Sequence, residues 1–224
     1  MTMIIEMKDI SKTYHPHKDV PVKALSGLNL SVREGEMLAI YGVSGSGKST
    51  LLHIIGGLDR ASSGEYTFDG IDMNNQKDTQ LAHLRNEHIG FVLQDFGLIS
   101  HRTAIDNVMV PVMFSKRSIT EGMLRGKELL NELGIGELKN RKVYQMSGGQ
   151  KQRVAIARAL MNQPKLILAD EPSGALDSTT KAEIYSIFEK LKQEGKTIIV
   201  VTHDHDIETI ADRVLQIKDG CLVQ

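Results

Sequence analysis

Two short glycine-rich segments of this chain contain residue types that could bind phosphate. The first, "GVSGSGKST", covers residues 42–50 and fits the pattern G-x-x-x-x-G-K-[ST]. In such a loop the glycines let backbone N–H groups face phosphate oxygens, Lys48 can reach the β- and γ-phosphates, and the Ser49 hydroxyl can bind Mg²⁺. We refer to it as the phosphate loop. Its expected nucleotide contacts are Gly42, Val43, Ser44, Gly45, Ser46, Gly47, Lys48, Ser49 and Thr50.

The second segment is "MSGGQ", residues 146–150, which we call the signature turn. It comes directly before a run with helical periodicity, so free backbone N–H groups and the positive end of a helix dipole would meet there. One nucleotide in the phosphate loop would leave one side of its γ-phosphate open to water. If the signature turn of a second copy covered that side, two copies arranged head to tail would share two nucleotides across a closed two-fold interface.

Carboxylates follow the apolar run in "LILADEP". Asp170 is expected at the carboxyl end of a strand, where it could hold Mg²⁺ through its water shell. Glu171 comes next and is the natural group to orient or deprotonate a hydrolytic water. The alternatives are a glycine-rich turn that matches the phosphate-loop pattern by accident and an ordinary polar strand end at residues 170–171. A strand predicted before the loop and a helix predicted after it favour the chemical interpretation.

Short apolar runs alternate with helical patterns, which predicts an α/β fold around a parallel sheet. The predicted strands cover residues 37–43, 90–94, 165–170 and 197–203, and the predicted helices start at residue 48 and cover residues 79–87, 122–133, 150–161 and 181–192. Three alternating, turn-bounded runs in the first 70 residues predict an antiparallel part. We expect a single domain over residues 1–224, with a core of about 1–104 and 161–224 and an inserted helical part of about 105–160.

Composition excludes several classes of protein. The 224 residues are 41% hydrophobic and 25% charged, and 27 Lys and Arg face 28 Asp and Glu for a net charge of −1. That balance disfavours nucleic-acid binding. Cys221 is the single cysteine, which rules out an internal disulfide and fits a reducing compartment. The N-terminus does not resemble a signal peptide, and no apolar run approaches the roughly 20 residues that span a bilayer.

The phosphate loop, the signature turn and "ILADEPSGALD" (residues 167–177) occur in the order found in ABC transporters. The chain resembles the nucleotide-binding subunit of that family over its whole length. The resemblance implies the P-loop NTPase fold of ABC ATPases, with a RecA-like parallel core sheet, an N-terminal antiparallel β subdomain and an inserted α-helical subdomain. It also implies ATP and Mg²⁺ as ligands. Met146 stands where the family usually has Leu, a change of similar volume from which we expect little consequence.

The same resemblance assigns further residues. Tyr14 matches the aromatic residue that stacks on adenine, although an ordinary strand-end tyrosine is the alternative. Gln94 matches the glutamine that contacts Mg²⁺ and the attacking water, with a capping side chain as the alternative. His203 matches the histidine that contacts the γ-phosphate, and residues 173–177 match the loop that crosses to the other subunit. The implied nucleotide contacts outside the phosphate loop are Tyr14, Met146, Ser147, Gly148, Gly149, Gln150 and Asp177.

Within the family, residues 85–99, residues 103–108 and the insertion "HPHKDVPVKAL" resemble ATPases of the lipoprotein-release and macrolide-export group. Membership implies a separate permease chain, an ATP-dependent homodimer and a peripheral location on the cytoplasmic face of the inner membrane. It also implies mechanotransmission, in which closure of the ATPase pair moves an extracytoplasmic domain. The alternatives are a single-cassette ATPase with soluble partners, such as an iron–sulfur assembly ATPase, and a regulatory ATPase of cell division or sensing. "HDHD" at residues 203–206 could suggest a metal site, but Asp206 is expected to cap a helix instead.

Overall fold

The structure is a computed structural model that describes residues 2–17, 20–174 and 176–223, without the side chains of residues 16, 17 and 20. The strands are Met3–His17 (β1), Val20–Arg33 (β2), Met37–Tyr41 (β3), Ser63–Phe68 (β4), Ile71–Asp72 (β5), Ile89–Val92 (β6), Leu166–Asp170 (β7), Thr197–Thr202 (β8), Arg213–Lys218 (β9) and Cys221–Val223 (β10). The α-helices are Lys48–Ile55 (α1), Asp78–His88 (α2), Ala104–Met109 (α3), Ile119–Glu132 (α4), Gly148–Leu160 (α5) and Ser178–Gln193 (α6).

A six-stranded sheet in the order β10-β9-β3-β8-β7-β6 forms the centre of the molecule. Its strands run parallel except for the edge strand β10, which pairs antiparallel with β9. Every residue of β3 and β8 is buried, because helices or the second sheet cover both faces. The parallel core sheet predicted from the apolar runs is therefore confirmed. The carboxyl ends of β3, β7 and β8 lie side by side and carry the candidate site.

The N-terminal region forms a separate antiparallel sheet in the order β2-β1-β4-β5. A hydrophobic core that includes Ile5, Phe68, Leu51 and Val201 joins this sheet, α1 and one face of the parallel sheet. The phosphate loop leads from β3 into α1, so both sheets fix its position from behind. This arrangement confirms the predicted antiparallel N-terminal part. The hairpin between β1 and β2 carries the insertion noted in the sequence, of which Lys18 and Asp19 lie outside the described residues.

Helices α3, α4 and α5 and three short 3₁₀ turns occupy the chain between β6 and β7. They share a second core with the opposite face of the parallel sheet, in which Val108, Leu129 and Val154 are fully buried. Helix α4 begins three residues earlier than the pattern predicted. Ser118 accepts a hydrogen bond from the N–H of Glu121 at 3.2 Å and the Glu121 carboxylate accepts from the N–H of Ser118 at 3.1 Å, a capping box that fixes the start.

The sequence reading was wrong about Asp206. The segment after β8 is a short 3₁₀ helix, His205–Thr209, and its N-cap is Asp204, whose side chain accepts from the N–H of Asp206 at 3.0 Å. Asp206 itself pairs with Lys181. The sequence reading also missed β5 and β10, which are short and lie at the edges of their sheets, and the six-residue β9, which lies between β10 and β3.

Candidate functional site

A cleft of about 490 Å³ opens at the carboxyl ends of the central strands. Ligands bind at this edge in open α/β sheets, because the loops that leave the strands diverge there. Most of the residues proposed from the sequence for phosphate, metal and water contacts meet in it. The lining residues are Val22, Lys23, Ala24, Ser44, Gly45, Gly47, Lys48, Ser49, Thr50, Gln94, Asp170, Glu171 and His203.

The phosphate loop is curled tightly against the strands behind it. Gly47 has φ +108°, and a Cβ atom there would lie 2.6 Å from the carbonyl oxygen of Ala24. A Cβ on Gly42 would lie 2.5 Å from the carbonyl oxygen of Ile217. Only glycine fits at either position without displacing neighbouring backbone. The glycine spacing recognised in the sequence therefore has a direct steric cause in this fold.

Lys48 begins α1 and is almost fully buried at the base of the loop. Its ammonium donates hydrogen bonds to the carbonyl oxygens of Gly42 at 2.7 Å and Val43 at 3.1 Å. A buried ammonium needs partners for its protons, and phosphate oxygens at the mouth of the loop would be stronger acceptors than neutral carbonyls. The lysine is thus held within reach of a bound polyphosphate.

Ser49 and Asp170 meet across the cleft, where the serine hydroxyl donates to a carboxylate oxygen of Asp170 at 3.3 Å. Burial and the neighbouring charge of Glu171 raise the pKa of Asp170 above its ordinary value, against the hydrogen bond from Ser49, which lowers it. A partly buried carboxylate beside a second one favours a nearby cation. One hydroxyl and one carboxylate oxygen are hard donors of the kind Mg²⁺ prefers, so this pair fits a magnesium ion shared with phosphate and water.

Glu171 has a strained backbone, and both oxygens of its carboxylate have hydrogen-bond partners. Its φ is +45°, a left-handed conformation that costs a non-glycine residue roughly 1 kcal/mol or more. One carboxylate oxygen accepts from the Thr202 hydroxyl at 2.9 Å and from the N–H of His203 at 3.3 Å, and the other lies 2.9 Å from His203 Nδ1. The surrounding contacts therefore hold the carboxylate at the cleft wall in one orientation.

The structure brings Gln94 and His203 into the cleft as exposed side chains, but Tyr14 does not line it. The Tyr14 hydroxyl donates to Asp59 at 2.7 Å, and the ammonium of Lys12 lies 4.8 Å from the centre of its ring. Lys12 also pairs with Asp59 at 2.5 Å. Burial opposes ionisation of Asp59, but the hydrogen bonds from Lys12 and Tyr14 keep its pKa below the ordinary value.

The signature turn lies outside the cleft, at the N-terminus of α5. The Ser147 hydroxyl accepts from the N–H of Gln150 at 3.3 Å, and the Gln150 side-chain oxygen accepts from the N–H of Ser147 at 3.1 Å, which forms a capping box. Met146 is buried in the core, so its side chain packs there.

The signature turn also contacts the first turn of α6, because a Cβ on Gly149 would lie 2.4 Å from Thr180 Cγ2. Asp177 caps α6 through the N–H of Thr180 at 3.0 Å.

Arg158 is a functional candidate that the sequence reading missed. From α5 its guanidinium donates to the carbonyl oxygens of Phe96, at 3.0 Å, and Gly97. These residues lie two and three positions after Gln94 in the loop that follows β6, so the arginine ties the helix of the signature turn to the loop that carries the cleft glutamine. No local pattern in the sequence predicts this contact, because more than 60 residues separate Arg158 from its partners.

Of the residues 173–177 proposed as a crossing loop, Ala175 lies outside the described part of the chain.

With this geometry established, comparison with known proteins decides the family. The ABC transporter family matches residues 25–174, which is more than half of the chain. This chain belongs to the ABC transporter family. As an ABC ATP-binding cassette it binds and hydrolyses ATP. The phosphate loop and the sequence "ILADEPSG" lie inside the matched range, so the predicted family is confirmed by the segments that carry the chemistry.

Two relatives contain a similar cassette. It is 51% identical over 221 residues to YvrO of Bacillus subtilis, an uncharacterized ABC transporter ATP-binding protein, with 98% of this chain and 96% of the relative covered. It is 47% identical over 224 residues to the macrolide export ATP-binding/permease protein MacB of Escherichia coli strain K12. That match covers 100% of this chain and 34% of MacB, so the cassette spans about a third of the MacB chain.

Solved structures confirm the fold of the cassette. The dimeric structure of MJ0796, a bacterial ABC transporter cassette, superimposes with a TM-score of 0.90 at 44% identity and covers 98% of this chain and 97% of that one. MJ0796 in a dimeric post-hydrolysis state with ADP and Pi gives 0.90 at 43% identity, with the same coverage. Among the residues that the structure describes, no helix combines the length and apolar character of a membrane span.

Proposed function

We propose that this cassette is the ATP-hydrolysing subunit of a membrane transporter and that two copies close head to tail around two ATP molecules. The observation that carries the proposal is the separation of the two phosphate-binding segments. The phosphate loop lines the cleft, whereas the signature turn lies outside it at the N-terminus of α5. Thirteen residues of helix give that terminus a dipole that favours an anion. A nucleotide held by another copy is the ligand that fits it.

Each cleft residue has a defined task in hydrolysis. Lys48 and the loop N–H groups bind the β- and γ-phosphates, and Tyr14, which lies outside the cleft and bonds to Asp59, would stack on the base. Glu171 orients the attacking water and accepts its proton, while His203 and Gln94 contact the γ-phosphate and the water. Ser49, Asp170 and Gln94 would hold Mg²⁺. When bound, that ion supplies positive charge that offsets the charge developing on the phosphate oxygens.

Glu171→Gln tests this assignment, because it keeps the shape of the side chain but removes the base. We expect turnover to fall by about 10²-fold or more and ATP to trap a stable dimer that light scattering detects. Glu208→Gln is the matched control, since Glu208 is an exposed carboxylate that contacts His205. Turnover close to that of the unaltered chain, or a monomer in excess ATP, would contradict the proposal.

We further propose that a separate permease chain is the partner and that the cassette works on the cytoplasmic face of the membrane. An apolar groove of about 400 Å³ lies between α2 and α5 and is lined by residues that include Leu58, Phe91, Pro111 and Phe114. Phe114 is 72% exposed. Arg158 lines the same groove and bonds the loop of Gln94, so a segment seated there would act directly on the cleft.

An amphipathic helix of the permease is the occupant that fits the groove. MacB carries a permease in the chain that contains its cassette, and an apolar helix face suits an apolar groove. Movement of that helix with closure of the dimer would transmit force across the membrane, as in the mechanotransmission implied by the resemblance. Export, lipoprotein release and resistance to antimicrobial peptides are the activities such a complex would serve.

Co-purification tests the partner. The tagged chain would be expressed in its native host and isolated from membranes in mild detergent. We expect a permease with few spans and a large extracytoplasmic domain, and we expect Phe114→Asp to lose it. Leu124→Asp is the matched control, because Leu124 is 58% exposed on α4 but lies outside the groove. A soluble partner retained by both variants would instead favour an assembly ATPase of the iron–sulfur kind.

A further inference from the structure

The segment that follows Glu171 is anchored by Ser173, which is 3% exposed. The Ser173 hydroxyl lies 2.7 Å from the hydroxyl of Tyr185 and 3.3 Å from a carboxylate oxygen of Asp204. Tyr185 belongs to α6 and Asp204 follows β8, so three elements distant in the sequence meet at one buried hydroxyl.

The direction of these hydrogen bonds follows from the charge states. Burial raises the pKa of Tyr185, so its hydroxyl keeps its proton and donates to Asp204 at 2.7 Å. Burial opposes ionisation of Asp204, but hydrogen bonds from Lys181 and Tyr185 lower its pKa to about 2, so it is an ionised acceptor. Ser173 therefore donates to the oxygen of Tyr185, and the chain of bonds runs from serine through tyrosine to carboxylate.

The same Asp204 is connected to the carboxylate of Glu171. Its backbone N–H donates to the Thr202 hydroxyl at 3.0 Å, and that hydroxyl donates to Glu171 at 2.9 Å. Its carbonyl oxygen accepts from the hydroxyl of Tyr41 at 2.6 Å, directly before the phosphate loop. Glu171 is thus held from both sides, by its carboxylate through Thr202 and by its following backbone through Ser173.

We propose that Tyr185 is a positioning residue for ATP hydrolysis, whose hydroxyl locks the segment after Glu171 to Asp204. A residue with φ +45° keeps that conformation only when its surroundings hold it there. Removal of the Tyr185 hydroxyl leaves Ser173 with the 3.3 Å contact to Asp204, so the segment after Glu171 loses one of its anchors and keeps the bond from Gln152 to the carbonyl oxygen of Pro172 at 2.8 Å. The inference rests on the proposed role of Glu171 at the attacking water.

Tyr185→Phe in the full chain tests the proposal, with Tyr66→Phe as the matched control. Tyr66 is also buried and its hydroxyl donates to the carbonyl oxygen of Ile55 at 2.6 Å, away from Glu171 and Ser173. We expect Tyr185→Phe to lower kcat about tenfold at saturating ATP, with KM for ATP changed less than twofold. Both variants should lower the midpoint of thermal unfolding by similar amounts, because each loses one buried hydrogen bond. Tyr66→Phe should leave kcat unchanged.

Ser173→Ala is a second test of the positioning role. We expect it to lower kcat as Tyr185→Phe does, and we expect the double variant to lose no more than either single variant, because both break one chain of bonds. Equal kcat in Tyr185→Phe and Tyr66→Phe, or independent losses in the double variant, would overturn the proposal. If Tyr185→Phe is neutral while Glu171→Gln is inactive, the positioning role alone fails. If Glu171→Gln is active, the hydrolytic assignment fails with it.

Discussion

The phosphate loop and the signature turn both place glycines before the N-terminus of a helix, but their surroundings differ. The loop is backed by buried strands and combines backbone N–H groups with the Lys48 ammonium and the Ser49–Asp170 pair. The signature turn offers an exposed Ser147 and the start of α5, next to the start of α6. We infer that the first binds and activates a nucleotide and that the second completes the site of another copy. This asymmetry favours two composite sites in a dimer.

The largest expected effect comes from a substitution in the phosphate loop. Lys48→Ala removes a charged donor to phosphate, and we expect ATP binding to weaken by about 10- to 100-fold, with turnover lost. Titration of the monomer with a fluorescent ATP analogue measures the affinity. Lys165→Ala is the control, because Lys165 is a partly exposed lysine that pairs with Asp69 at 2.5 Å. Unchanged ATP affinity in Lys48→Ala would show that the loop does not bind phosphate as described.

Ser147→Arg should distinguish the role of the signature turn from that of the phosphate loop. It places a bulky side chain on the signature turn, so we expect turnover to fall by about 10²-fold while monomeric ATP affinity changes less than twofold. Loss of the N-cap should also cost about 1 kcal/mol of stability. Ser118→Arg is a close control, since Ser118 forms the same capping box on α4. A turnover loss of equal size in both variants would mean that only helix capping had been tested.

Sequence reasoning succeeded where chemistry and local structure coincide. The phosphate loop directly follows β3, and Asp170 and Glu171 lie at the carboxyl end of β7, so one short motif indicates both the element and its ligand. The S-x-x-E pattern of Ser118 and Glu121 marks the start of α4, but the prediction used periodicity alone and placed that start three residues too late. Ser173, Tyr185 and Asp204 meet only through tertiary packing, which no local pattern encodes.

The wrong prediction for Asp206 has the same physical origin. Aspartates at positions 204 and 206 both suit an N-cap, and the sequence does not distinguish them. In the fold, Lys181 and Tyr185 from α6 hold the carboxylate of Asp204, which places that residue at the cap. The edge strands β5 and β10 were missed because two or three residues carry too little alternation to be recognised.

The smallest expected effect concerns stability. Asp204 has a pKa of about 2 in the folded chain, below the ordinary 3.8. A depressed pKa stabilises the folded state above pH 4 or so, and that contribution is lost as the pH falls toward about 2. We expect Asp204→Asn to lower the stability by roughly 1–2 kcal/mol at pH 7.

Thermal unfolding of Asp204→Asn and the unaltered chain between pH 7 and about pH 3 checks this prediction. The two midpoints should differ at neutral pH, and the difference should shrink as the pH falls toward the acid end of this range. Asp206→Asn is the control, because Asp206 also pairs with Lys181 but its side chain is 65% exposed. A difference between the midpoints that is constant over the whole pH range would contradict a role for the ionised carboxylate.

Mixing two inactive variants tests the composite sites most directly. A dimer of one Lys48→Ala chain and one Ser147→Arg chain contains one site with an intact phosphate loop and an intact signature turn. We therefore expect each variant to be inactive alone and an equal mixture to regain up to about one quarter of the ATPase activity. A mixture of Lys48→Ala and Glu171→Gln should regain none, because both changes damage the same half of each site. Absence of activity in both mixtures, with dimers formed, would contradict the head-to-tail arrangement.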